Sequence, residues 1–334
     1  MANEINWINA VKAICMISVY ILHSEAYYGI GSTSYGLILQ PFYVNAFFFV
    51  NGYLFFKKHL RTDMAYEYYD FIKNFKNIYY KLIIPTIIFA SIIYIPKLLF
   101  HSREISVMKY FYDVFGGISF WFTSTLTISQ IILLLLLFIK RESIWPYFLV
   151  SILLFATSIY LSDIDTNPFP WYYKSGMGAT LFLVLGGIYQ HYEEKIEKIG
   201  KGKISRLVFL LIYLYCAVYS LSHNPFHYAM ISMNINIEGL LLSILGISFI
   251  VAVCKYLPNI NLFTFIGRHS IVFYFFSGML PASIGLICQK IFPEKLYVIT
   301  IAVAVLSICI GLLLTYGINK YAPWLMDIRK LRKQ

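Results

Sequence analysis

The chain has 334 residues, of which 59% are hydrophobic and only 13% charged, with a net charge of +11. A soluble domain averages roughly 45–50% apolar and about 25% charged residues, because it must cover a water-facing surface. The balance here excludes an ordinary soluble globular protein and points to bilayer lipid as the solvent.

Ten apolar stretches follow in order, near 8–28, 40–56, 82–100, 120–139, 145–162, 176–191, 206–223, 239–256, 264–288 and 296–318. A spanning helix needs roughly 17–25 mostly apolar residues; the second and sixth stretches are short by that measure. The first is too long for a cleavable signal and has no small-residue cleavage site, so it reads as a retained span. With the N-terminus inside, twenty of the 27 Lys and Arg residues fall on the cytoplasmic side and six on the other, Lys12 lying within span one. Such asymmetry is the positive-inside pattern, and it accounts for the basic charge without nucleic acid. The basic segments suit anionic lipid or anionic cytosolic ligands. The reading is an all-α polytopic membrane protein with about ten transmembrane helices and both termini cytoplasmic. With no repeat or low-complexity linker, it forms one integral-membrane domain over 1–334. The connection 57–81 has Tyr66, Tyr69, Phe71, Phe75, Ile78 and Tyr79 at roughly helical spacing, which predicts an amphipathic helix in the interface.

Ionisable groups within a bilayer are costly and are usually paired or functional. Span one has Lys12, His23 and Glu25. Eleven residues at about 100° each end about 20° past three full turns, so Lys12 and His23 share a face about 16.5 Å apart along the axis. Glu25 lies about 200° around from His23, which argues against a His–Glu dyad. The unperturbed pKa of a histidine, about 6.5, suits His23 to removing a hydroxyl proton; the alternative is a histidine satisfied by a carbonyl at the outer interface. Lys12 suits a phosphate, or it snorkels to the cytosolic surface. In span two, Asn45 and Asn51 must face protein or water, as substrate contacts or as glue between helices, and Gly52 allows close helix approach.

The remaining candidates are weaker. His223 and His227 have i,i+4 spacing, but Pro225 stands between them in an outer loop, a poor metal pair. His59, His101, His191 and His269 read as polar groups near the interfaces. Cys15, Cys216, Cys254, Cys288 and Cys309 all lie in apolar runs without C-x-x-C spacing, so neither a disulfide framework nor a metal site is expected.

Taken in order, several strings resemble the bacterial membrane acyltransferase-3 family. Lys12 precedes His23, in Val19-Tyr20-Ile21-Leu22-His23-Ser24, much as a basic residue precedes the family's key histidine. Phe47-Phe48-Phe49-Val50-Asn51-Gly52-Tyr53 is similar to its phenylalanine-rich Ser-Gly-Tyr stretch, with Asn51 in place of Ser. Lys81-Leu82-Ile83-Ile84-Pro85 resembles the basic entry to its third span, although Ile78 occupies the place of a second basic residue. Phe120-Trp121-Phe122 resembles its Trp-Phe at span four, and Ile266-Gly267-Arg268-His269-Ser270-Ile271 its turn into a late span. Ser277 stands where the family often has a polar histidine.

The resemblance implies an O-acyltransferase of the bacterial inner membrane. The donor would be a cytosolic acyl-CoA, commonly acetyl-CoA, used as co-substrate with no permanently bound cofactor. The acceptor would be a hydroxyl of a surface polysaccharide or lipid-linked glycan. On this reading His23 is the catalytic base, Lys12 and Lys81 hold the phosphates of CoA, and Asn45, Asn51 or Trp121 positions substrate or the developing oxyanion. The rival readings are a membrane acyltransferase acting on lipid or protein, and a transporter of a polysaccharide intermediate.

Overall fold

The computed structural model describes residues 5–29, 34–60, 66–101, 106–138, 143–164, 170–200, 207–208, 210–215, 218, 226–229, 232–235, 237–294 and 296–333. The chain is an all-α polytopic membrane protein. Its helices are α1 (Asn6–Tyr28), α2 (Ser34–Tyr43), α3 (Asn45–His59), α4 (Tyr68–Ile78), α5 (Ile84–His101), α6 (Val107–Phe115), α7 (Trp121–Leu136), α8 (Trp145–Ile164) and α9 (Tyr173–Gly200). They continue with α10 (Ile237–Tyr256), α11 (Asn261–Arg268), α12 (Ser270–Ser277), α13 (Met279–Ile291) and α14 (Tyr297–Tyr321). Phe226–Ala229 and Ser232–Ile235 pair into one small two-stranded sheet.

Six helical stretches among the described residues are long and apolar enough to cross a membrane: Asn6–Tyr28, Tyr68–Tyr94, Trp145–Ser162, Gly239–Tyr256, Ser270–Ile291 and Tyr297–Tyr321. They overlap the first, third, fifth, eighth, ninth and tenth predicted spans, the third starting earlier than expected, at Tyr68. Trp121–Leu136 is a shorter apolar helix at the fourth. Half of the predicted span 206–223 lies outside the described residues, including Cys216 and His223.

Three predicted segments differ in detail. Span two is two helices, α2 and α3, parted at Val44. Pro41 removes a ladder donor inside α2, and Asn45 competes with the backbone for hydrogen bonds at the start of α3. Span nine is likewise broken, at His269 and again at Gly278. The amphipathic helix expected within 57–81 is α4, opened by reciprocal capping between Glu67 and Asp70. It runs without a loop through a π-helical turn, Tyr79–Ile83, into α5.

The chain forms two compact units that alternate along the sequence. In the first, comprising Met1–Phe47, Ile199–Phe226 and Ile235–Tyr321, α1 is the central helix, packed against α2 and α10 to α14. A side chain at Gly267 would strike the backbone of Asn9, so the Gly-Arg-His-Ser turn is where α11 closes on the first turns of α1. The Tyr213 ring stacks on Phe249 with centroids 4.3 Å apart, and its hydroxyl donates to the Ile38 carbonyl at 2.9 Å.

The second unit comprises Phe48–Lys198, His227–Asn234 and Ala322–Gln334. Here α3 and α9 meet backbone to backbone, with Gly52 against the Leu183 peptide and Gly186 against the Phe49 carbonyl. In lipid, helix association relies on such close packing, because lipid tails are as apolar as leucine. The Thr86 hydroxyl donates to Thr123 Oγ1 at 2.9 Å, tying α5 to α7.

The charge pattern predicts that a cysteine replacing the exposed Lys195, near the end of α9, reacts with an impermeant maleimide only from the cytosolic side. Labelling from outside intact cells would overturn the orientation.

Candidate functional site

The site begins with α1, a single unbroken helix of 23 residues. Its hydroxyls are largely self-satisfied: Ser18 donates to the Ile14 carbonyl at 2.9 Å and Ser24 to the Tyr20 carbonyl at 2.7 Å. Tyr20 reaches across to α12, donating to the Phe273 carbonyl at 3.0 Å. Beyond His23, Gly29 closes the helix in the left-handed conformation and donates to the Glu25 carbonyl at 3.0 Å. Gln289 of α13 then caps the exposed carbonyls of Tyr27 and Tyr28 at 3.0 and 2.8 Å. Tyr28 in turn donates to the Glu294 carbonyl at 3.0 Å. The stretch bearing His23 is therefore fixed from both ends.

On this rigid helix Lys12 and His23 are both partly buried. Among the described residues, neither the Lys12 ammonium nor the His23 ring has a hydrogen-bond or ion-pair partner. The His23 ring lies against the Tyr27 ring, with centroids 5.9 Å apart at 47°. Glu25 is buried on another side of the helix. A cation and an imidazole left unengaged along one face can meet an anion at one end and a hydroxyl proton at the other.

Asn45 lies in the same unit. It is fully buried, and its amide donates to Ser243 Oγ of α10 at 3.0 Å. One amide hydrogen is thus engaged in joining helices, while Oδ1 has no partner among the described residues.

Asn51, Lys81 and Trp121 belong to the second unit. Asn51 is half-buried beside Gly52 on α3. Trp121 opens α7, edge-on to Phe122 with centroids 6.1 Å apart at 86°. Lys81 is exposed on the π turn. Near it, Lys58 donates to Asn74 Oδ1 at 2.9 Å, and partial desolvation, then the Lys81 and Lys73 ammonium groups, hold Lys58 below the usual lysine value. Several basic groups converge there, an arrangement suited to a multiply charged anion.

Sequence reasoning missed Trp171 and Tyr172, two successive residues at φ 59° and 48°. Such left-handed backbone is unusual for aromatic side chains and persists only where surroundings hold it. Trp171 donates from its backbone to the Gly116 carbonyl at 2.6 Å and from Nε1 to the Phe115 carbonyl at 3.0 Å. The Tyr172 hydroxyl donates to the Ile118 carbonyl at 3.2 Å. Burial, followed by Tyr112 and Asp113, pushes that hydroxyl up to about 12, so it keeps its proton at neutral pH. Together they pin the loop that leads into Trp121. The string Pro170-Trp171-Tyr172-Tyr173 was the available signal, but nothing local marks it as strained.

A family model described as an acyltransferase domain matches residues 5–320. No curated protein and no solved structure matches the chain.

Proposed function

This chain belongs to the acyltransferase-3 family, and on that premise we propose that it is a bacterial inner-membrane O-acyltransferase working from acyl-CoA. The acyl group is acetyl in the first instance, and the acceptor is a hydroxyl of a surface polysaccharide or lipid-linked glycan precursor. The observation that carries this reading is the shared face of α1, where Lys12 and His23 stand about 16.5 Å apart without partners among the described residues. Unpartnered polar groups in a membrane helix are costly, and function is the usual reason for keeping them.

In this mechanism His23 takes the proton of the acceptor hydroxyl as its oxygen attacks the thioester carbonyl. The tetrahedral intermediate collapses by breaking the carbon–sulfur bond, and the thiolate recovers the proton from the imidazolium. The products are the O-acyl ester and free CoA. The resemblance gives the donor's phosphates to Lys12 and Lys81, and the positioning of substrate or oxyanion to Asn45, Asn51 or Trp121. A donor hydrogen bond to that oxyanion contributes about 10²–10³ in rate.

The test is transfer of labelled acetyl from acetyl-CoA into the glycan and lipid-linked fractions of membranes carrying the protein. Label in those fractions supports the reading. Label in protein or simple lipid instead would reassign the acceptor, and glycan movement without any acyl transfer would assign transport. Lys12→Ala should raise the acyl-CoA KM about 10- to 100-fold, as expected on losing a hydrogen bond to a charged group, and leave the acceptor KM unchanged. A change confined to the acceptor KM would remove Lys12 from the donor site.

A further inference from the structure

The carboxyl-terminal residues are folded rather than trailing: Pro323–Leu325 and Ile328–Lys333 form 3₁₀ turns. Arg329 is their anchor. Its guanidinium grips Asp327 through two hydrogen bonds, Nε to Oδ1 at 2.8 Å and Nη2 to Oδ2 at 2.7 Å. Its Nη1 donates to Asn77 Oδ1 at 2.9 Å, and the guanidinium carbon sits 5.0 Å above the Tyr80 ring. All these residues lie within the second unit.

Of the groups gripped, one precedes a π turn and another lies within it. Asn77 is in the last turn of α4, and Tyr80 belongs to the π turn Tyr79–Ile83 that also carries Lys81. A π turn is rare in proteins and recurs at functional sites. It adds a residue to the helical repeat, so reverting to α geometry would rotate everything on one side of it by about 100° relative to the other. The direction of Lys81 therefore depends on whether the turn holds. Asp327 also senses this neighbourhood: hydrogen bonds from Arg329 chiefly hold its carboxyl below the usual range, and the Lys81 ammonium acts in the same direction.

We infer that the docked tail is a clasp: Arg329, reaching Asn77 and Tyr80, keeps the π turn wound and thereby aims Lys81 at the donor's phosphates. Arg329 and Asn77 are positioning residues, acting through Lys81. The inference rests on the assignment of Lys81 to the donor site. It also distinguishes geometry from charge. A guanidinium makes a planar two-bond fork and stacks on a ring, whereas an ammonium does neither equally well. Arg329→Lys keeps the charge but loses the clasp.

The test uses the full-length protein in membranes. Arg329→Gln and Arg329→Lys should each raise the acyl-CoA KM about 5- to 10-fold, with kcat within about twofold and the acceptor KM unchanged. Either change combined with Lys81→Gln should add little to Lys81→Gln alone, because both act on one contact. Wild-type kinetics in Arg329→Lys would overturn the clasp in favour of a simple charge effect, and so would multiplicative losses in the double variant. If Lys81→Gln itself leaves the acyl-CoA KM unchanged, the donor assignment of Lys81 fails, and the clasp is judged by a second measurement. Lys81→Cys is labelled in detergent with a charged maleimide, with and without Arg329→Gln, taking the wild-type chain as the blank for native cysteines. A labelling rate altered at least threefold supports the clasp; an unaltered rate overturns it.

Discussion

Membranes carrying His23→Ala should lose acyl transfer by about 10²–10⁴, the range that a positioned general base contributes, while the protein level and its behaviour in detergent stay as in the wild type. The selectivity of this loss follows from how α1 is held. The helix is anchored at Asn9 by Gly267, at Tyr20 by Phe273 and at its end by Gln289, and none of these contacts involves His23. Alanine is the best helix former, so the local backbone is not weakened. The tilted pair with the Tyr27 ring, at 5.9 Å, contributes only about 0.5–1.5 kcal/mol. Glu25→Gln provides the matched comparison. That side chain is buried two residues away but on another side of the helix, and the isosteric change should reduce the rate far less. Matched label incorporation by His23→Ala and wild-type membranes would remove the general base from the mechanism. Equal losses in the two variants would restore the His–Glu dyad.

Gly52→Ala should prevent the protein from accumulating as a monodisperse species, with the cause lying in packing alone. A Cβ at this position would fall inside the Leu183 peptide, among backbone atoms that cannot rotate aside. Gly186 presents the reciprocal contact with the Phe49 carbonyl, so the α3–α9 crossing has backbone in contact from both sides. Overpacking a tight core costs about 1–3 kcal/mol and occasionally more. Here the helices must part, and Tyr53, which donates to Glu193 across the same crossing, would be displaced with them. Because the two glycines share one crossing, Gly52→Ala with Gly186→Ala should cost less than the two separate effects combined. Gly317→Ala in α14 is the control, since among the described residues no atom beyond its own helix backbone lies within 4 Å of its added Cβ. That substitution should leave detergent stability unchanged or raise it, alanine being favoured over glycine in a helix by about 1 kcal/mol. Equal thermal midpoints for Gly52→Ala and the wild type would refute the backbone contact.

The amino-acid sequence by itself determined the class of this protein, the positions of its long apolar helices and the common face of Lys12 and His23. These are local properties. Hydropathy over about 20 residues reports a span, and a fixed 100° per residue places side chains on a helix without knowledge of its neighbours. The need for a glycine at position 52 was legible for the same reason, since a small residue in a membrane helix marks close approach. Which backbone it approaches was not legible, because Leu183 is remote in the chain.

Only the tertiary structure decided the rest. Apolar runs surrounded by lipid and protein show no periodicity, so hydropathy over 40–56 and 264–288 passed across the breaks at Val44 and Gly278, although the string around His269 resembled a turn. Asn45 carries the same local signal whether it meets substrate or another helix, and its bond to Ser243 joins residues 198 positions apart. The left-handed Trp171 and Tyr172 hold their conformation through the carbonyls of residues 115, 116 and 118, more than fifty positions earlier. The π turn under Lys81 is bound by an arginine 252 positions from Asn77, near the far end of the chain. Helical propensity and hydropathy act between near neighbours, whereas these contacts exist only once distant segments have packed, and it is they that aim the side chains the sequence could name.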